Sequence, residues 1–173
     1  MHKLAFYLLV FLATNISLYS IHITSAAGDD VSLSSFQNKK LLLVNIATAS
    51  SKVSQMEQLR LLQQRYSERV TIIAFPSNSF GHEPKNNLEI KRFCDSIYHV
   101  NFLLAEKGDV KGNTLQPVYE WLASVGKNGI MQGYVKADFQ KYLIDTNGHI
   151  IGVYAGSVNP LDTMITNAIE GIE

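Results

Sequence analysis

The sequence predicts an α/β fold with a central mixed β-sheet flanked by helices. Two apolar runs, 41–46 and 70–75, enclose a helical pattern, which indicates a βαβ unit with parallel strands and a right-handed crossover. Further along, Asn147-Gly148 lies between two more strand-like runs, which is a strong signal for an antiparallel hairpin. Parallel and antiparallel pairs in one chain of this length indicate a mixed sheet within a single domain.

The helix of the βαβ unit is predicted to begin at a capping box. Ser54 is followed three residues later by Glu57, a spacing that lets the two side chains satisfy free N–H groups at a helix start. Apolar residues then recur at helical spacing to about Glu68, namely Met56, Leu59, Leu62 and Tyr66. The second strand is followed by a predicted loop, 76–86, which carries prolines among polar residues.

A second helix is predicted after this loop, capped by Asn86 with Glu89 at its third position. A third helix is predicted to begin near Thr114, where apolar residues again recur at helical spacing. The buried stripe of the second helix is predicted to consist of Ile90, Phe93, Cys94 and Ile97.

The C-terminal part is predicted to contain the hairpin and one more helix. The hairpin strands are expected at 141–145 and 150–154. The helix is expected to begin at Asn159, with Pro160 at its first position and Asp162 in its first turn. A βαβ unit followed by a helix and an antiparallel hairpin is the thioredoxin-like arrangement.

The composition indicates a globular protein and excludes several function classes. The 173 residues are 46% hydrophobic and carry no formal net charge, which excludes a disordered chain. With 15 basic and 15 acidic residues, there is no electrostatic reason to expect a nucleic-acid partner. The single cysteine excludes an intrachain disulfide framework and any metal site built from several cysteines.

The N-terminus predicts export to the periplasm or the medium. Met1-His2-Lys3 precedes an unbroken apolar run, 4–13, which is too short to cross a bilayer and is typical of a signal peptide. We expect a signal peptide over 1–19, with cleavage as late as residue 27, and a single domain over 20–173. The alternative is an uncleaved segment that anchors the protein to a membrane.

The sequence contains none of the short motifs that hold phosphates or metals. It has no G-x-G-x-x-G or G-K-[ST] loop, no H-E-x-x-H and no C-x-x-C, so we expect neither a cofactor nor a metal. The histidines are scattered along the chain and are interpreted as loop or solvent-facing residues: His2, His22, His82, His99 and His149.

The loop between the first strand and its helix, 47–54, has a position suited to chemistry. Partial positive charge at a helix N-terminus favours a thiolate, and thioredoxin-like enzymes place their reactive cysteine at this kind of site. Here the loop contains no sulfur. Ser50 and Ser51 are expected to cap the helix. Hydrolytic use of Ser50 would require a His or Lys base within hydrogen-bond reach.

A series of ordered segments adds a family resemblance. The segments include Leu43-Val44-Asn45-Ile46-Ala47-Thr48, Phe75-Pro76-Ser77-Asn78-Ser79-Phe80-Gly81, Glu83-Pro84, Phe93-Cys94, Pro117-x-Tyr119-x-Trp121-Leu122 and Phe139-x-Lys141-Tyr142-Leu143. In this order they resemble the glutathione peroxidase family, from about Ser20 to Ile172. The resemblance implies a thioredoxin-like fold with family insertions.

The resemblance also implies an activity and a set of residues. Family members reduce hydroperoxides with a Cys or selenocysteine that glutathione or thioredoxin restores, and Gln, Trp and Asn side chains support the reactive anion. The family-equivalent positions here are Ser50 for the nucleophile, Ser79 for Gln, Ala137 for Trp and Asp138 for Asn. Since all four differ, none is expected to perform the family's catalysis.

The four differences act in the same chemical direction. A Ser hydroxyl is not ionised at neutral pH and cannot pass through the oxidation states of sulfur. Ala137 removes an N–H donor, and Asp138 replaces a donor amide with an acceptor that would repel a thiolate. We therefore expect the family's peroxidase mechanism to be lost.

Cys94 is the remaining redox candidate, although its place in an apolar stripe favours an inert core thiol. The preferred interpretation is an exported, non-peroxidatic monomer that binds an unidentified small molecule or protein at an altered pocket near Ser50, Ser79 and Asp138. The alternative is a hydroperoxide-reducing thiol peroxidase of the oxidative stress response, which works through Cys94 with glutathione or thioredoxin as partner.

Overall fold

The computed structural model describes residues 16–130, 133 and 135–172, and these residues form two β-sheets. The strands are β1 (His22–Thr24), β2 (Asp30–Ser32), β3 (Lys40–Ile46), β4 (Val70–Pro76), β5 (Leu103–Leu104), β6 (Lys141–Ile144) and β7 (Ile150–Tyr154). The central sheet has the order β5-β4-β3-β6-β7, and β1 pairs with β2 in a small antiparallel sheet. Because β3 is parallel to β4 and antiparallel to β6, the predicted mixed sheet is confirmed.

The helices cover both faces of the central sheet. They are α1 (Gln55–Arg65), α2 (Asn87–Phe93), α3 (Pro117–Ala123), α4 (Val125–Asn128) and α5 (Thr163–Glu170), with a π-helical turn, Cys94–Tyr98, directly after α2. Across the described ranges, no helix combines the length and the apolar character that a membrane span requires.

The hydrophobic core lies on both faces of the sheet because side chains alternate along a strand. Leu42 packs in the cluster that contains Leu59 of α1, whereas Leu41 packs in the cluster that contains Tyr119 of α3. Burial on both faces explains why β3 and β4 are almost continuously apolar in sequence.

Two predicted local motifs are confirmed. The side chain of Asn86 accepts the N–H of Glu89, whose carboxylate accepts the N–H of Asn86, so the capping box of α2 is complete. The β6–β7 hairpin turns at Asn147-Gly148, where Gly148 has a φ of +88°. Asp145 Oδ1 accepts the N–H of Asn147 at 2.9 Å and fixes the turn.

The predicted capping box at Ser54 is wrong. Ser54 has helical dihedral angles and makes no side-chain capping bond, while the Glu57 carboxylate pairs with Arg60. The chain already turns helically before this point, since the N–H of Val53 donates to the Ser50 carbonyl at 3.1 Å. A residue inside a helical turn cannot take the extended conformation that an N-cap needs.

The predicted burial of Ile97 is also wrong, since 61% of this residue is exposed. Ile90 and Cys94 are fully buried as expected, but Ile97 lies in the π-helical turn. A π-helical turn adds a residue per turn, so the i+3 and i+4 spacing no longer keeps one face towards the core.

Two helices begin later than predicted. α3 begins at Pro117 instead of near Thr114, and the Thr114 hydroxyl bonds to Asp109 in the preceding loop at 2.6 Å. α5 begins at Thr163, capped by Asp162, because Asn159 caps a separate turn ahead of the helix.

The packed domain extends further towards the N-terminus than the predicted boundary at Ser20. Leu18 and Tyr19 are buried in the core, and Trp121 Nε1 donates to the Ile16 carbonyl at 2.6 Å. Residues 1–15 of the predicted leader lie outside the described residues. Cleavage after residue 19 would therefore remove side chains that the core contains.

Candidate functional site

The loop after β3 carries Ser50 to the end of the central sheet, against the N-terminal end of α1. Ser50 is almost fully buried, and its Oγ accepts the N–H of Lys52 at 3.3 Å in the turn that precedes α1. The predicted capping of the helix by Ser50 and Ser51 is wrong, because α1 begins at Gln55 and Ser54 occupies its N-cap position. Within the described part of the chain, no His or Lys side chain lies within hydrogen-bond distance of this oxygen. The structure therefore does not supply the base that hydrolytic use of Ser50 requires.

Asp138 forms a close pair with His82 beside this loop. The Asp138 side chain is 2% exposed, its Oδ2 lies 2.5 Å from Nδ1 of His82, and the imidazole is 53% exposed. The N–H of Ala49 donates to the His82 carbonyl at 3.0 Å, which attaches His82 to the loop that carries Ser50. His82 and Asp138 therefore lie beside the loop that carries Ser50, and these three residues are referred to below as the altered pocket.

Sequence reasoning missed His82, which it interpreted as a loop histidine. The pair joins residues 56 positions apart in sequence, so no local pattern could reveal it. Asp138 offered one indirect signal. A carboxylate at a position that the fold buries needs a hydrogen-bond partner, because burial without one is costly.

Ser79 does not belong to the altered pocket in the structure. Its Oγ accepts the hydroxyl of Ser77 at 3.0 Å and the N–H of Val110 at 3.1 Å, so it contacts the loop before α3. Ala137 contributes a methyl group and a carbonyl, which accepts from Asn45 Nδ2 at 3.1 Å. Of the four family-equivalent positions, Asp138 contacts the His82 side chain directly, and Ser50 follows Ala49, whose N–H donates to the His82 carbonyl.

The backbone that carries Asp138 is held in an unusual conformation. Phe139 is fully buried and has a φ of +62°, a left-handed conformation that is strained for an aromatic residue. Its N–H donates to the Asn45 carbonyl at 2.7 Å. A Cβ at Gly156 would lie 2.1 Å from the Asp138 carbonyl oxygen, so only glycine fits there. Strain of this kind persists where the surroundings impose one conformation.

A fully buried lysine supports the same segment. Lys141 Nζ donates to the carbonyls of Phe139 at 2.7 Å and Val158 at 2.8 Å. Burial lowers the pKa of Lys141 from 10.5 to about 7, with a further contribution from the positive charge of Lys52. The Lys141 side chain therefore joins the segment at Phe139 to the loop at Val158. The removal of its charge from water costs free energy of folding.

A buried carboxylate ties the loops after β3 and β4 together. Glu83 accepts the N–H of Thr48 at 2.6 Å, the hydroxyl of Thr48 at 2.7 Å and the N–H of Lys85 at 3.2 Å. Lys107 Nζ donates to the Glu83 carbonyl at 2.8 Å. These bonds fix the segment that presents His82.

Cys94 is fully buried behind this network. Burial, with smaller contributions from the charges of Glu83 and Asp95, raises the pKa of its thiol to about 12. The thiolate is the nucleophilic form of cysteine, so this environment suppresses reactivity at neutral pH. The geometry agrees with the interpretation of Cys94 as an inert core thiol.

In the residues that the structure describes, no three His, Cys, Asp or Glu side chains group as metal ligands would.

Comparisons with known proteins identify the family to which these features belong. The family model for glutathione peroxidase matches residues 18–123. A glutathione peroxidase homolog of Bacillus subtilis, BsaA, is 34% identical over 83% of this chain and 91% of its own length. A glutathione peroxidase-like peroxiredoxin of Chlamydomonas reinhardtii is 32% identical over 84% of this chain and 91% of its own length.

Solved structures agree with the fold. The crystal structure of Trgpx in its apo form superposes with a TM-score of 0.67 at 27% identity, covering 89% of this chain and 95% of that one. A thioredoxin-family thiol:disulfide interchange protein from Chlorobium tepidum superposes with a TM-score of 0.63 at 16% identity, covering 90% of this chain and 97% of that one. The second similarity concerns the fold alone.

Proposed function

Because the chain belongs to the glutathione peroxidase family, we propose that it retains the family fold without the thiol-based reduction of hydroperoxides. Its role is to bind a small molecule or a protein at the altered pocket formed by Ser50, His82 and Asp138. The observation that carries this proposal is the state of the only sulfhydryl. Cys94 is fully buried, with a pKa of about 12.

The oxygen of Ser50 supports the same conclusion. Peroxide reduction by this family needs an atom that can take oxygen from the peroxide and later be reduced, which is a property of sulfur or selenium. A buried hydroxyl has neither the charge nor the oxidation chemistry for that step.

The altered pocket offers groups suited to binding. The imidazole of His82 is half exposed, and Ser50 lies in the adjoining loop. Lys52, one turn further on, forms no ion pair among the residues that the structure describes. A polar ligand could therefore use the half-exposed imidazole, whereas the Ser50 hydroxyl is almost fully buried.

The test is hydroperoxide consumption by the purified protein with glutathione or thioredoxin as reductant. Wild type and Cys94→Ser are expected to match the control without protein. Ser50→Cys is the matched variant that restores sulfur at the helix N-terminus, and mass spectrometry should show its new thiol oxidised by peroxide before Cys94. Consumption by the wild type that Cys94→Ser abolishes would overturn the proposal and favour a thiol peroxidase.

We extend the proposal to localisation, with export directed by the apolar leader. Since Leu18 is fully buried and β1 begins at His22, removal of residues up to 19 or 27 would dismantle packed structure. Cleavage is therefore proposed to occur before Ile16. Mass spectrometry of the protein recovered from its own cells should give an N-terminus at or before residue 16, in a soluble extracytoplasmic fraction. An intact Met1 in the membrane fraction would support the anchor instead.

A further inference from the structure

A cavity of about 280 Å³ is lined by the loop that follows β1, by α2 with its π-helical turn, and by the chain that enters β5. Seven of its eleven lining residues are apolar, and none of the eleven belongs to the altered pocket. Small-molecule sites are typically cavities of this kind, with mostly apolar walls and a few polar groups that orient the ligand. The cavity is therefore a second candidate for ligand binding in this fold.

The apolar wall of the cavity lies at β5, which is an edge strand of the central sheet. Val100 and Phe102 precede this strand, and Leu103 is its first residue. All three line the cavity and pack against the core without being fully buried, and so does Val31 of β2. A ligand that covers these side chains removes apolar surface from water, which favours binding.

A second wall, the loop after β1, is held in one conformation by hydrogen bonds. Ser25 is almost fully buried, and its Oγ accepts the N–H of Ala27 at 3.2 Å and that of Asp29 at 3.1 Å. The N–H of Ala26 donates to the Leu104 carbonyl at 2.8 Å, which attaches the loop to the edge of the central sheet. Because this wall is already formed, little affinity is lost in ordering it when a ligand binds.

The charged groups that line the cavity favour a positively charged ligand. Lys91 Nζ and Asp95 Oδ2 lie 2.5 Å apart and neutralise each other. Asp29 is exposed and has no ion-pair partner among the described residues, and its Oδ2 accepts the hydroxyl of Ser25 at 3.1 Å. The lining therefore carries one net negative charge, which attracts an ammonium group and repels a carboxylate.

We propose that this cavity binds small amines that carry an apolar chain or ring. The ammonium group lies at Asp29, and the apolar part covers Val100, Phe102 and Leu103. The ligand is small, because sites for drug-sized molecules have volumes of about 300–1,000 Å³ and this cavity lies just below that range. The proposal goes beyond the binding role of the altered pocket, since the two sites share no residue and either could fail alone.

The test compares three probes of similar shape that differ in the charge of their polar end, namely 2-phenylethylamine, 2-phenylethanol and 3-phenylpropanoate. Each is titrated at neutral pH into the full chain, and amide NMR shifts report both affinity and location. The amine should bind most tightly and the carboxylate most weakly, with shift changes at lining residues such as Ala27 and Phe102. Asp29→Asn should weaken binding of the amine about twofold to fivefold, as expected for an exposed ion pair, and leave the alcohol unaffected.

Asp30→Asn is the matched control, because Asp30 is the next residue along the chain and does not line the cavity. It should bind the amine like wild type. Equal affinity for the three probes, tightest binding of the carboxylate, or no saturable shift with the amine would overturn the proposal. Unchanged amine affinity in Asp29→Asn would also overturn it, as would shift changes confined to residues outside the lining. Thermal melting shows that Asp29→Asn remains folded, since asparagine keeps an acceptor oxygen for the Ser25 hydroxyl.

Discussion

Lys141 gives the most quantitative prediction, because its side chain is fully buried next to the strained segment at Phe139. Its Nζ has backbone carbonyls of Phe139 and Val158 as partners and no carboxylate among the described residues. Burial of an ammonium without an opposite charge disfavours its charged form, and Lys52 adds repulsion. The fold therefore carries an electrostatic cost that depends on pH.

The size and sign of this cost follow from the two pKa values. Lowering the pKa of Lys141 from 10.5 to about 7 corresponds to about 5 kcal/mol against the charged form. Between these values the unfolded chain binds more protons than the folded chain, so the free energy of unfolding rises with pH. The cost is full below pH 7 and is gone above pH 10.5. From pH 7 to pH 9 the gain should be about 2 kcal/mol.

Urea unfolding of wild type and Lys141→Met at pH 7, 8 and 9 measures this gain. The variant lacks the titrating group, so its free energy of unfolding should lose the rise of about 2 kcal/mol that wild type shows. The absolute free energy of unfolding of Lys141→Met is less informative than its pH dependence, because the carbonyls of Phe139 and Val158 also lose their hydrogen-bond donor. Lys40→Met is the matched control, since Lys40 also donates to two carbonyls, of Ala168 and Ile169, but is only half-buried.

Parallel pH profiles for wild type and Lys141→Met would refute the reasoning. They would mean that Lys141 keeps an ordinary pKa in the folded protein, through solvent access or a partner charge. A loss of slope in Lys40→Met as well would show that the effect belongs to lysine removal in general, and not to burial at this position.

Three other perturbations have outcomes that packing determines. Leu18→Ala should lower the free energy of unfolding by about 2–5 kcal/mol in urea, whereas Ile16→Ala, at a side chain that is 46% exposed, should cost much less. Cys94 should react with Ellman's reagent only after unfolding, and rapid reaction of the native protein would contradict its burial. Gly156→Ala would place a Cβ 2.1 Å from the Asp138 carbonyl, so its melting temperature should fall well below that of Gly126→Ala, where the nearest atom is 3.8 Å away.

The fold could be predicted because its main signals are local or periodic. The continuous apolar runs of β3 and β4, the capping box at Asn86 and the turn at Asn147-Gly148 each act within a few residues. The errors arose where a non-local or irregular feature prevailed. The early turn at Ser50 displaced the expected cap at Ser54, and the π-helical turn moved Ile97 out of the core.

The candidate site was less accessible to sequence reasoning. Ser50 could be located because it follows a strand and precedes a helix, a position that chain order alone defines. Lys141 appeared to be an ordinary strand residue, since nothing in the sequence shows that its ammonium lies beneath a strained turn at Phe139. Burial of a charge depends on what the rest of the chain places around it.

The meaning of Asp138 changes once His82 is known. Taken alone, Asp138 is the loss of a donor amide from a peroxidase site, and an isolated buried carboxylate would cost several kcal/mol. In the structure its Oδ2 receives a donor from His82, so the position holds a matched donor and acceptor. The pair is only half satisfied, because Asp138 Oδ1 is buried and has no hydrogen-bond partner among the described residues. The fold nevertheless holds the carboxylate in place, through the bond from the Phe139 N–H to the Asn45 carbonyl and the close approach of Gly156, while the imidazole stays half exposed.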